Sequence, residues 1–313
     1  MIREESAAAS ALVRAEAKIA QRRSGQLYVA AGAIAWSSAG VLQRELHVNI
    51  GTQIAGRSLF GMLTLLVFVL VQHVRGSSPL RRLHWWDLAL ALCLCVASAA
   101  FIIALNHTSV ANVLIFQAGS PLIAAAMSWR LLGESLTRGA VAAMAIALCG
   151  VAIMVGAPSG AGPLGLGLSA VTSVAFALVV VIARHRQEMS MAPATCLAQF
   201  LLLIASIPFA QPASVNSHDL AMLVAFGVGQ IGVGLALLTI GAQRISAAEI
   251  AVISLLEVVL GPFWVWLFFS EVPSLATVVG GVLVIGAAVM LALAQGPAAD
   301  VHTSEHVVPD AHP

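Results

Sequence analysis

Two charged residues lie where charges are rare. Glu257 is about eleven residues into an apolar stretch, 246–268, and Arg57 falls within another, 52–72. Inside a bilayer such groups cost about 2.5–3.5 kcal/mol each on insertion scales, so by default they mark a function. A carboxylate at Glu257 can exchange protons during transport or bind a substrate amine. Its structural alternative is an acid hydrogen-bonded between helices. Arg57 can hold a substrate carboxylate or guard the outer mouth; the alternative is a long side chain snorkelling to the interface. The two can also pair with each other.

Uncharged groups in similar stretches extend the set. Gln117 and Gln230 can bind substrate or join helices through hydrogen bonds of about 0.6 kcal/mol each. Trp36 and Phe176 match at a spacing of 140 residues and can line a central cavity or simply pack. Pro121 removes one helical hydrogen bond and predicts a kink in its stretch. The segment GVGQIG, 227–232, fits the dinucleotide fingerprint, but it lies inside the uncharged run LAMLVAFGVGQIGVGLALLTIGA, with no strand before it. On an α-helix Gly227, Gln230 and Gly234 would share one face and Gly229, Gly232 and Ala236 another. Such small residues let helices approach closely.

Reactive chemistry has no comparable signal. No hydroxyl, thiol or carboxylate set suggests a nucleophile with its base. The nine histidines form no HExxH and no coherent ligand spacing, so no metal site is expected. The four cysteines lie in apolar runs without C-x-x-C spacing. No GxxxxGK[ST] motif is present, so no nucleotide cofactor is expected and a gradient must drive any transport.

The elements that would position these residues follow from composition. Hydrophobic residues make up 60% of the 313 and charged residues 9%, against roughly 25% charged in a soluble domain. So few charges cannot cover a soluble surface, and a net charge of +1 gives no basis for nucleic-acid binding. With about 20 apolar residues per crossing, ten spans are expected, at 26–45, 52–72, 86–106, 109–129, 138–156, 163–183, 191–210, 218–240, 246–268 and 274–294. An N-terminal arm, 1–25, and a disordered tail, 295–313, flank them. If the N-terminus is cytoplasmic, the inside segments hold 13 of the 15 basic residues and the outside loops only Arg44. Both termini are therefore expected in the cytoplasm.

The chain repeats itself. At an offset of 137, Ser109 meets Ser246, Trp129 meets Trp266 and Glu134 meets Glu271; at 140, Gly25 meets Gly165, Arg44 meets Arg184 and Phe60 meets Phe200. Two five-span halves, 26–156 and 163–294, follow. An odd number of spans inverts the second half, as in alternating-access transporters, whose substrates bind near the midplane. Glu134 and Glu271 each precede a span at a hydroxyl N-cap, Thr137 or Ser274, and read as structural.

The paired elements GESLT (133–137) and SEVPS (270–274), with the span openings GAIAWSSAGVLQR and GLSAVTSVAFALVVVIAR, resemble the EamA branch of the drug/metabolite transporter superfamily. The resemblance covers about 26–294. It implies an all-α integral membrane protein of ten transmembrane helices in two inverted five-helix repeats. It also implies a secondary transporter in a bacterial-type inner membrane, exporting a small metabolite such as an amino acid or derivative. Protons are the candidate coupling ion and a homo-oligomer a candidate assembly. The alternatives are a non-transporting membrane subunit or an intramembrane enzyme.

Overall fold

The structure, a computed structural model, describes residues 2–74, 84–133, 138–156, 162–185, 191–245 and 247–294. Among them all regular structure is helical. In chain order the α-helices are α1 (Ile2–Ser37), α2 (Ala39–Arg44), α3 (Ile50–Val74), α4 (Trp85–Leu105), α5 (Val110–Ala118), α6 (Ser120–Leu132) and α7 (Arg138–Gly156). They continue with α8 (Pro163–His185), α9 (Met191–Ser206), α10 (Ser217–Val224), α11 (Gly234–Ala242), α12 (Ala247–Phe269) and α13 (Leu275–Ala294). A π-helix, Ala225–Val233, joins α10 to α11.

Seven described helical stretches are long and apolar enough to cross a membrane; Arg138–Ile153 and Leu275–Leu291 are apolar but shorter. The protein is an integral membrane protein, and its helices track the ten expected stretches, but ten full-length spans are not what it shows.

Four stretches depart from single straight helices, each for a local reason. The arm and the first stretch form one helix, α1, which stops at Ser37. There the hydroxyls of Ser37 and Ser38 turn back to the carbonyls of Ile34 and Ala35 at 2.7 and 2.6 Å, the local competition with backbone pairing typical of serine. In the fourth stretch Pro121 lacks the N–H that would continue the ladder, and the helix breaks just upstream at Gly119, between α5 and α6. The seventh ends early, in a short 3₁₀ turn, Ile207–Phe209, that carries Pro208. The eighth contains the π-helix.

The packing of the helices carries the repeat. α1 packs on α11 and α4 on α8, and these pairs exchange when the halves are exchanged. α1 with α12 exchanges likewise for α8 with α5 and α6. α3 with α9 and α7 with α13 pair equivalent helices of the two halves. Each helix of one half therefore finds its main partner in the other. The most deeply buried element is the short helix α5, where Val113, Leu114 and Ile115 join Ile102 and Leu105 of α4 and Val265 of α12 in the central core. The broken fourth stretch is thus fixed from both sides, with its break beside Gln117.

Candidate functional site

Arg57 on α3 is 3% exposed. Its Nε and Nη2 donate to Gln230 Oε1 at 3.2 and 2.8 Å, and its Nη1 donates to Ser98 Oγ at 2.6 Å. The Phe226 ring lies 4.9 Å from the guanidinium carbon. A guanidinium has five N–H groups; three are used here, leaving one on each terminal nitrogen among the described partners. The snorkelling alternative is thereby overturned, because the side chain is drawn inward by three hydrogen bonds instead of reaching for an interface. Burying such a charge costs several kcal/mol, and these bonds with the aromatic face offset part of that cost.

Gln230 owes its position to the π-helix. A helix bonded i→i+5 stacks residues five apart, a rare geometry that is frequent at functional sites. Gly227 and Gly232, assigned to different faces on an α-helical count, both turn toward α3. A Cβ at Gly227 would lie 2.5 Å from Phe60 Cβ and 2.7 Å from the Arg57 carbonyl, and one at Gly232 would run into Thr64. Gly234 instead makes room for Trp36, whose Nε1 would stand 2.5 Å from a Cβ there, and Gly229 has nothing within 4 Å. The α-helical face assignment fails because the winding changes. The close approach of backbones expected from the glycines is present, and it brings Gln230 against Arg57.

Glu257 on α12 is 6% exposed, and no described residue hydrogen-bonds or ion-pairs with its carboxylate. Arg57 and Glu257 are therefore not partners. Beside them, the Oε1 atoms of Gln117 and Gln199 are buried without a hydrogen-bond partner among the described residues. Buried acceptors without a donor are uncommon in folded proteins and call for one.

All six candidates, Trp36, Arg57, Gln117, Phe176, Gln230 and Glu257, line one cavity of about 1110 Å³. It runs from these mid-helix groups past Phe68 and Gln72 of α3 and Met191 and Thr195 of α9 to Thr239 and Arg244. No described residue from the opposite end, where Arg44, Thr108 and Glu271 meet, lines it.

A match to the EamA-like transporter family covers residues 23–156 and again 163–293. The chain belongs to that family. It is accordingly a membrane transporter of the drug/metabolite type, from a family of transporters and not of enzymes. One solved crystal structure aligns with a TM-score of 0.63 over 87% of this chain and 97% of its own, at 21% identity, which shows a common fold. No curated protein matches the chain in sequence.

The EamA repeat element of the second half has a role visible in its contacts. Glu271 Oε1 accepts from the Val110 backbone N–H at 3.0 Å, and Oε2 accepts from Arg44 Nε at 3.1 Å. It therefore caps α5 of the other half, while Ser274 caps α13 through Thr277 N at 3.1 Å. Glu134 and Thr137 of the first element lie outside the described residues, as does the tail, 295–313. Glu249 accepts from Arg22 Nε and Gln26 Nε2, each at 2.8 Å. Arg244 Nη1 donates to Ser24 Oγ at 2.9 Å, and its guanidinium lies over the Tyr28 ring.

Sequence reasoning passed over two cavity groups. Gln199 is a polar residue inside an apolar run, the same signal that singled out Gln117 and Gln230. Ser98 gave no signal, since a serine among alanines is ordinary in a membrane helix. It also missed a cluster at the opposite end. His47, His218 and Asp219 each bring one ligand atom, and these atoms lie within 4.8 Å of one another. The two segments are more than 170 residues apart, so no spacing rule joins them.

Proposed function

We propose that the chain is a secondary transporter of a small zwitterionic metabolite, an amino acid or derivative, and that it exports by alternating access. The observation that carries this reading is one cation and one carboxylate buried in a single cavity and not paired with each other. The free edge of the Arg57 guanidinium suits a bidentate grip on a substrate carboxylate. Glu257, with the bare carbonyl oxygens of Gln117 and Gln199, suits an ammonium. Trp36 and Phe176 supply apolar wall, and a volume near 1000 Å³ is that of a small-molecule site. Among the described residues lining the cavity, Glu257 is also the one carboxylate placed to carry a proton in exchange.

In this reading the ten apolar stretches form two inverted five-span halves, 26–156 and 163–294, with both termini in the cytoplasm of a bacterial-type inner membrane. The Arg244 end is then cytoplasmic. The cavity, directed to that end alone, is the inward-facing state in which an exporter loads its substrate.

Transport by purified full-length protein in liposomes tests this, with a labelled amino-acid panel followed with and without a proton gradient. Glu257→Gln is expected to abolish gradient-driven accumulation. Arg57→Lys keeps the charge but loses the fork, and should raise the KM for carboxylate-bearing substrates roughly 10–100-fold, the worth of one charged hydrogen bond. Absence of transport of every small zwitterion, with Glu257→Gln behaving as wild type, would sink the proposal.

A further inference from the structure

The end opposite the cavity holds a group of side chains that the transport reading leaves unused. His47 lies in the turn between α2 and α3, and His218 and Asp219 lie in the first turn of α10. Asp219 is 1% exposed, yet its carboxylate accepts one hydrogen bond among the described residues, from the His47 backbone N–H at 2.9 Å. The His47 ring Nδ1 stands 3.8 Å from the same carboxylate oxygen. The His218 ring Nε2 stands 3.4 Å from Glu45 Oε2. The two rings, 73% and 50% exposed as side chains, have centroids 6.1 Å apart, so both are open to water and free to turn.

We propose that His47, His218 and Asp219 bind a zinc ion at this end, with Glu45 orienting the His218 ring. Two imidazoles and a carboxylate, without a thiolate, are a borderline donor set that suits Zn²⁺ and disfavours the all-oxygen cations Ca²⁺ and Mg²⁺. Tetrahedral zinc with bonds near 2.1 Å sets its ligand atoms about 3.4 Å apart. The present limit of 4.8 Å closes to that by small rotations of the two exposed rings. A buried carboxylate with one donor is held ready for a cation, and a carboxylate behind a ligating histidine is the usual second partner of such a ring. Three protein ligands leave the fourth position to water.

The ion would bridge the two halves, since His47 belongs to the first and His218 and Asp219 to the second. It would sit on the water side of the Arg44–Glu271 contact, at the end that the cavity does not reach. Zinc would therefore favour the state in which that end is closed. This consequence rests on the alternating-access reading, whereas the binding itself does not.

The binding test uses full-length protein stripped with a chelator and titrated with Zn²⁺ against a chromogenic competitor. One site per chain is expected. His47→Ala and His218→Ala should each weaken it at least 100-fold, and Glu45→Gln about 10–100-fold, as second-partner changes do. Replacing the tail histidines His302 and His306 should leave it unchanged. Co²⁺ substituted for Zn²⁺ should give d–d absorption without a thiolate charge-transfer band, which separates this site from Cys93 and Cys95. Binding that survives both ring substitutions, or disappears with the tail histidines, overturns the proposal. Both rings are exposed, so their removal leaves the fold intact, and an unchanged melting temperature without metal verifies it.

Discussion

The two ends of this helical bundle are tied differently. At the Arg44 end, one guanidinium donates to Glu271, to Gln43, and to the carbonyls of Leu105 and Thr108. Glu271 in turn caps α5. Around them Asn49 donates to the Phe209 carbonyl, and Gln211 N donates to Thr52. Groups from four separate parts of the chain converge there, and both members of the ion pair are about three-quarters covered. At the Arg244 end, among the described residues, polar contacts join α1 to α12 and to the turn after α11, the Trp86 and His185 rings of α4 and α8 lie 5.5 Å apart, and the Arg22 side chain is 64% exposed. Among the described residues, those lining the cavity lie toward the second end and not the first. A brace of partly buried, charge-assisted bonds across both halves closes a path, whereas exposed pairs along one seam leave room beside them.

Arg44→Ala is the most damaging way to test that contrast. It strips Glu271 of its cation and leaves the Leu105 and Thr108 carbonyls without a donor. Hydrogen bonds to charged groups are worth about 1.5–3 kcal/mol each, and partial exposure lowers the net to about 3 kcal/mol for the set. We expect the lowest melting temperature of the variants named here. Hydrogen exchange at Val110–Asn112 should speed at least tenfold, because the α5 cap loosens with its partner. Exchange at α1 should not change. A variant that melts as wild type shows that the Arg44 end is not braced as described.

What the sequence made legible follows from what a bilayer demands. Every backbone polar group must be satisfied within its own helix, so long apolar runs announced the helices. Polar residues are costly there, so the few present had to share a sheltered place. This is why Arg57, Gln117, Gln230 and Glu257, chosen only for being polar in apolar runs, line one cavity with Trp36 and Phe176. The winding inside a run was not legible. Around Gly227–Gly234 almost every residue is apolar or glycine, so the pattern has no phase from which a π-helix could be told from an α-helix. Nor could the pairing of short polar segments be read. The Arg22–Glu249 contact and the His47–His218–Asp219 cluster both depend on where non-adjacent helices end.

Gly227→Ala probes the region between the two ends, with an intermediate effect. The added Cβ meets Phe60 Cβ at 2.5 Å and the Arg57 carbonyl at 2.7 Å, on backbone and stem atoms that cannot swing aside. Overpacking of this kind costs about 1–3 kcal/mol. The strain should be relieved by moving the π-helix away from α3, which lengthens the Arg57–Gln230 bonds. The variant should therefore lose transport affinity as well as stability, while Gly229→Ala, with open space around it, loses neither. Equal loss in both variants would show that the winding, and not the contact with α3, is what the glycines provide.

Arg22→Ala should have the smallest effect and gives the contrast its sharpest form. It removes an ion pair as short as any described, 2.8 Å to Glu249. Short distance is not strength, however. The arginine is mostly in water, and exposed pairs contribute about 0–1 kcal/mol. Glu249 also keeps Gln26 as a donor at 2.8 Å, so no acceptor is stranded. Stability should fall by about 0.5 kcal/mol or less, and the loss should shrink further in high salt, where exposed pairs are screened. Arg44→Ala should keep most of its effect in the same salt, since its partners are largely covered. If instead the two variants lose equal stability and respond equally to salt, the two ends are held alike, and burial does not explain why the cavity reaches only one of them.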